Sequence, residues 1–128
     1  MSTKVFKRVR VKTMMTTMNY ESWGTKYELS FVRAQYTNNK ALAIKVMCKE
    51  EGEEFIEPYA TLTVNLSKSG LLDENCAFVD TNNCPTDIIK HLAKEGVAEY
   101  MGYSETSGFC SYPCYRFSKE WLKSLESM

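Results

Sequence analysis

Two runs of alternating residues on either side of a pair of asparagines constrain this chain more than any other feature. Residues 26–36 place Leu29 and Phe31 between polar neighbours, and residues 40–48 do the same with Leu42, Ile44, Val46 and Cys48. A period of two puts each apolar set on one face of a strand. Asn38-Asn39 lies between the runs, and asparagine tolerates the positive φ that a type I′ turn requires. A two-residue loop there pairs residues whose numbers sum to 77. Phe31 then meets Val46 and Leu29 meets Cys48, so both apolar sets land on one face, as register must arrange.

The remaining elements are read around this hairpin. Residues 4–13 alternate, with Val5, Val9 and Val11 on one side and Arg8, Arg10 and Lys12 on the other, which predicts a half-buried strand with one basic face. Residues 14–25, rich in Met and Thr and carrying Trp23-Gly24, read as a loop or irregular edge. A third strand is predicted over 55–66, with Leu62, Val64 and Leu66 inward. Pro58 cannot donate to a ladder and marks an edge, a bulge or a strand start. Residues 67–74 read as a turn, and Ala77 to Asp80 as a short apolar strand. Pro85 suits the first position of a helix, and Asn83 can cap its free amides. Ile88, Ile89, Leu92 and Ala93 share the apolar stripe of that helix, His91 lies on its polar side, and Gly96 ends it. Val97 to Tyr103 reads as a short connection or strand, Thr106-Ser107-Gly108 as a loop, and Cys110 to Phe117 as a strand broken by Pro113. Ser118 caps a last helix with Trp121, Leu122 and Leu125 on one face. The expected architecture is a single α+β domain over residues 1–128. It has an antiparallel sheet of about five strands with two helices packed on one side, and residues 1–25 form an N-terminal strand and loop.

Charge is divided along the chain. Residues 1–49 hold ten basic and two acidic side chains, and residues 50–128 hold six and fourteen. A basic half can serve nucleic acid or another anionic partner. Zero net charge favours the alternative, in which the halves neutralise each other as neighbouring strands, because nucleic-acid binders usually carry an excess of basic residues. With 44% hydrophobic and 25% charged residues the composition argues against disorder and coiled coil. No apolar run is longer than Ala41-Leu42-Ala43-Ile44, which excludes a membrane-spanning helix. No apolar stretch follows Lys4, Lys7, Arg8, Arg10 and Lys12, so no signal peptide is expected and the chain is placed in the cytosol. There the five cysteines are expected to be free thiols. Zinc would have to join Cys110-x3-Cys114 to Cys76, Cys84 or His91. Cys76 and Cys84 stand eight residues apart, which is not the paired-knuckle spacing of structural zinc.

Catalysis needs groups that converge. With one histidine, any His-based triad rests on His91, and no nucleophile elbow, phosphate loop or dinucleotide fingerprint is present. Cys84 with His91, or Asp80 and Asn82 with His91, would be the elements of a hydrolase. No catalytic residue, metal or small-molecule cofactor is expected. Asp80, Asn82 and Asn83 are candidate binding residues. They follow a buried strand, and in the binding reading they project into a cleft near Tyr112 or Tyr115. In the other reading they form an Asx-type turn or a helix cap. Tyr100, Tyr103, Phe109, Tyr112, Tyr115, Phe117 and Trp121 crowd the C-terminal stretch, where an exposed subset could stack bases or anchor a partner. Arg8, Arg10 and Lys12 are the candidate nucleic-acid residues.

Three stretches read together resemble a known family: Tyr59-Ala60-Thr61-Leu62-Thr63-Val64-Asn65-Leu66, then Phe78-Val79-Asp80-Thr81-Asn82-Asn83-Cys84-Pro85, then Ser107 through Phe117. Over about residues 36–118 the chain resembles domain of unknown function 4313, a bacterial family encoded on conjugative transposons and related mobile elements. The basic N-terminal strand is not part of that pattern. The resemblance implies the mobile-element context and brings no catalytic residue. It leads to the expectation of a non-enzymatic accessory protein acting by macromolecular binding. The alternatives are a nucleic-acid-binding module using the basic strands and, by analogy, an inhibitor of a host defence nuclease.

Overall fold

The computed structural model describes residues 16–127. The predicted strand over 4–13, with Arg8, Arg10 and Lys12, lies outside the described residues. Two sheets form where one sheet of about five strands was expected. The first has the order β1 (Thr17–Ser22), β2 (Thr25–Gln35), β3 (Leu42–Glu50), β4 (Glu57–Thr61), all antiparallel. A short β9 (Glu126–Ser127) lies parallel to β2 beyond β1. The second has the order β5 (Thr63–Val64), β6 (Cys76–Val79), β8 (Cys110–Phe117), β7 (Ala98–Ser107). Two short helices, α1 (Thr86–Lys94) and α2 (Lys119–Ser124), complete an α+β fold.

The β2–β3 register is the expected one, with Leu29 opposite Cys48 and Phe31 opposite Val46. Its turn is not. Four residues, 37–40, connect the strands. Lys40 N donates to the Tyr36 carbonyl at 2.8 Å, and Lys40 (φ 60°) takes the left-handed conformation in place of either asparagine. A loop longer by two residues keeps the same pairing sum, so the apolar faces still match. The asparagines instead use their side chains. Asn39 Nδ2 donates to Asn65 Oδ1 and Asn65 Nδ2 to Asn38 Oδ1, each at 2.9 Å, which ties the hairpin tip to the second sheet's first connection.

Residues 14–25, expected as a loop or irregular edge, hold the edge strand β1, which forms because Met18 faces the core and pairs with Leu29. The type I′ geometry falls at Trp23-Gly24, whose φ values are 52° and 80°. The single strand expected over 55–66 is two. The chain leaves the first sheet at Leu62 and enters the second at Thr63. Both side chains are buried, which one strand with one buried face would not allow. Val64 consequently borders a smaller cluster with Cys76, Phe78 and Cys114, away from Leu62. Pro58 lies on the edge strand, and the pairing slips by one residue at Tyr59, a bulge that turns this ring toward Tyr20 and Tyr27.

The main core lies among both sheets and both helices. Leu29, Phe31, Ile44 and Val46 come from the first sheet, Ala77, Val79 and Phe117 from the second, and Ile88, Ile89, Leu92, Trp121 and Leu122 from the helices. Ala93, expected on the α1 stripe, is exposed. Gly96 (φ 82°) does stop α1: Gly96 N donates to the Ala93 carbonyl and Val97 N to that of Leu92, the Schellman pattern, with Leu92 and Val97 both buried. Ser118 caps α2 by accepting from Trp121 N at 3.2 Å. Residues 98–107 form one long strand, β7, in which Met101 to Tyr103 bulge opposite Cys114.

Candidate functional site

β6 ends at Val79, and Asp80 makes the turn that follows. Its Oδ1 accepts the amides of Asn82 (3.1 Å) and Asn83 (3.0 Å), and its Oδ2 accepts Asn83 Nδ2 (3.0 Å). Cys84 N closes on the Asp80 carbonyl at 3.0 Å. The carboxylate is therefore engaged in an Asx-type turn before α1 begins. The cap expected from Asn83 is not formed: Pro85 occupies the cap position and no side chain bonds the first amides of α1.

Continuing the β6–β8 pairing two residues past Phe78 and Cys114 brings Asp80 level with Tyr112. The Tyr112 hydroxyl is pushed up first by its hydrogen bond with Cys110, then by burial, with the Asp80 charge adding at longer range. Tyr36 is raised mainly by burial, its hydroxyl 3.1 Å from Thr63 Oγ1, and Asp80 adds to it as well. Tyr115 does not join this group. Three residues along the strand from Tyr112, it faces the other side of β8 and packs on the main core beside Tyr100, ring centroids 5.7 Å apart. The structure thus joins Asp80, Asn82 and Asn83 by hydrogen bonds, leaves Tyr112 within range of the Asp80 charge, and turns Tyr115 to the other side of β8.

All five cysteines are free thiols, and only Cys110 is more than slightly exposed. Cys84, 3% exposed, is pushed up to about 11, chiefly by burial and then by the Asp80 charge. A thiol held protonated at neutral pH is a poor nucleophile. Among the described residues, no three His, Cys, Asp or Glu side chains gather as a metal site.

A second location emerges that the sequence reading missed. β1 and β2 meet at Trp23-Gly24, and β3 runs out beside them, Glu51 N donating to the Lys26 carbonyl at 2.9 Å. An open cleft of about 670 Å³ lies at this end of the first sheet, lined by Asn19, Tyr20, Glu21, Lys26, Tyr27 and Glu28 and by residues 49–52. Tyr20 and Tyr27 lean on Tyr59, whose hydroxyl is pushed up to about 12, first by burial and then by its Tyr20 neighbour. Trp23 stands fully exposed at the turn, and Phe55 and Ile56 are exposed on the following connection. The far hairpin, β7–β8, turns at Gly108-Phe109 with Phe109 equally exposed. The signal in the sequence was Trp-Gly between two polar runs, a pair whose glycine suits a two-residue turn.

No helix among the described residues is long and apolar enough to cross a membrane. A family model described as a domain of unknown function, DUF4313, matches residues 17–127. No curated protein and no solved structure matches the chain.

Proposed function

We propose that this chain, which belongs to the DUF4313 family of unknown function, is a non-enzymatic accessory protein of a bacterial mobile element. It acts in the cytoplasm by binding another macromolecule. The observation that carries this reading is Trp23. It is fully exposed, and it occupies a left-handed position that asparagine or glycine would fill with less strain. Among the described residues none covers the indole, and large rigid aromatics are the usual anchors of interfaces. The mobile-element context comes from the family resemblance. A protein partner is favoured over nucleic acid for the described body. Five of the sixteen basic residues and none of the sixteen acidic ones fall in residues 1–16, so residues 17–128 carry net −5. The nucleic-acid reading rests on that basic segment, and salt-sensitive retention on DNA or RNA through Arg8, Arg10 and Lys12 would support it.

The test is a pull-down from the native host with wild-type protein and with Trp23→Ser. A macromolecule retained by the first and lost by the second supports the reading. Retention of nothing by the wild type, or of the same species equally by both, overturns it.

A further inference from the structure

The two faces of the first sheet differ at the end where β1 turns at Trp23 and β3 runs out. Residues directly opposite on neighbouring antiparallel strands share a face. Glu21 is opposite Lys26 and Glu28 is opposite Lys49, so on the outer face each carboxylate meets an ammonium across the ladder. The inner face continues outward from the core positions Met18, Leu29 and Cys48. Two residues further along each strand it carries Tyr20, opposite Tyr27, and Tyr27, opposite Glu50. β4 adds Glu57, opposite Cys48, and the bulged Tyr59. Glu50 and Glu57 thus share one side. Both charges reach the Cys48 thiol, which burial raises first and these two raise further. Among the described residues neither glutamate has an ion-pair partner.

The three tyrosines are half-buried, so each keeps part of its ring open. Tyr59 holds the other two in place: its ring centroid lies 6.1 Å from that of Tyr20 and 6.2 Å from that of Tyr27, with the planes inclined at 66° and 46°. Inclined rings present electron-rich faces in more than one direction. Such faces attract an organic cation placed within about 6 Å of the ring centre. A carboxylate with no ionic partner beside them adds a charge-assisted hydrogen bond. A guanidinium satisfies both, since it stacks flat on a ring and forks onto a carboxylate. Trp23 at the β1–β2 turn, and Phe55 and Ile56 just before β4, are exposed at the same end of the sheet. They extend the surface beyond what a small cation covers, so the fitting occupant is a chain segment whose basic side chain has apolar neighbours.

Resting on the macromolecular-binding reading above, we propose that the inner face of this sheet end, Tyr20, Tyr27 and Tyr59 with Glu50 and Glu57, receives an arginine side chain of a partner protein. The probe is a blocked hexapeptide of alternating arginine and leucine, titrated into the full chain. Its citrulline counterpart keeps the shape and loses the charge. Calorimetry reads the affinity, and the tyrosine ring resonances read the place of contact. The arginine peptide should shift the rings of Tyr20, Tyr27 and Tyr59 and bind roughly tenfold tighter than the citrulline peptide. Glu50→Gln with Glu57→Gln should weaken it about tenfold, the order expected for two modest ion pairs. Glu21→Gln with Glu28→Gln removes the same charge from the outer face and should leave the affinity unchanged. No binding, equal binding of the two peptides, shifts confined to other rings, or equal loss in both double variants would each overturn the proposal. In the pull-down, a partner lost by Trp23→Ser but kept by Glu50→Gln with Glu57→Gln overturns the arginine assignment and leaves the macromolecular-binding reading standing.

Discussion

Replacing Trp23 by asparagine should make this protein more stable. Trp23 has φ 52° and sits first in the two-residue turn between Ser22 and Thr25. A side chain with a Cβ pays roughly 1–2 kcal/mol in the left-handed region, and asparagine recovers much of that by bonding its own backbone. Asn-Gly is the preferred pair for such a turn. Because the indole is fully exposed, its removal forfeits no buried area. The net gain is about 1 kcal/mol, equivalent to about 3–5 °C for a chain of this size. Trp23→Ala is the control: it removes the same exposed ring but keeps the Cβ, and should leave stability nearly unchanged. Urea unfolding followed by far-ultraviolet circular dichroism measures both. A Trp23→Asn midpoint equal to or below wild type would refute the strain reasoning, and an Ala variant as stabilised as the Asn one would assign the gain to solvation of the indole. A stabilised Asn variant that also loses its partner would show tryptophan kept at this turn for binding, at the expense of stability.

Four further outcomes are expected. Trp121, fully buried with rings of Phe31 at 5.5 Å and Phe117 at 6.0 Å, should cost about 3–5 kcal/mol when changed to Ala, read as the loss of a cooperative melting transition at moderate temperature. Asp80→Ala should cost about 0.5–2 kcal/mol in chemical denaturation and Asp80→Asn less, since the amide keeps an oxygen for the Asn82 and Asn83 amides; a fully stable Asp80→Ala would contradict the turn reading. Gly96→Ala, at φ 82°, should lower stability by about 1 kcal/mol in the same assay. Stability should fall at alkaline pH. Folding raises the Cys84 thiol from 9.0 to about 11, so its contribution is complete below pH 9 and lost between pH 9 and 11, and Cys84→Ala should flatten that part of the pH profile.

What could be read from the sequence was the demand of each strand for a buried face. The β2–β3 register follows from the positions of Leu29, Phe31, Val46 and Cys48 and survives an error in the turn, because lengthening the loop by two residues shifts no face. The core positions Phe31, Ile44, Val46, Leu62, Ile88, Leu92 and Trp121 follow from the same periodicities. Val64 escapes because periodicity says which side a residue faces along one strand, not which sheet that strand joins. Leu62 and Thr63, both buried, mark a crossing between sheets that a pattern of Leu62, Val64 and Leu66 conceals. β1 has only Met18 and Tyr20 turned inward, too few to stand out from a run of Thr, Met and Asn. β7 is largely exposed and interrupted by its bulge at Met101 to Tyr103, so the sequence shows its first part as a short connection or strand and not its extension to Ser107.

The two candidate sites were legible to different degrees for the same reason. Asp80, Asn82 and Asn83 lie within four residues, and short polar side chains at that spacing bond one another's backbone whatever the rest of the fold does. Their turn is local, so sequence suffices to find it, and its hydrogen bonds account for the carboxylate without a ligand. The cleft is assembled from Asn19 to Glu28 and from residues 49–52, two segments brought side by side only by the β2–β3 ladder. The hairpin register already implied that proximity: a pairing sum of 77 sets Tyr27 opposite Glu50 and Glu28 opposite Lys49. Carried one strand further, the same arithmetic would have placed Trp23-Gly24 at the end where the acidic run begins. The strand missed over 17–22 kept that inference out of reach, since without β1 there is no second wall and the glutamates read only as a solvated turn. Six of the sixteen acidic residues, Glu21, Glu28, Glu50, Glu51, Glu53 and Glu54, fall at or just beyond this end of the sheet, with Lys26 opposite Glu21 and Lys49 opposite Glu28, so the cleft is acidic by excess and holds only part of the charge that the sequence divides between its halves.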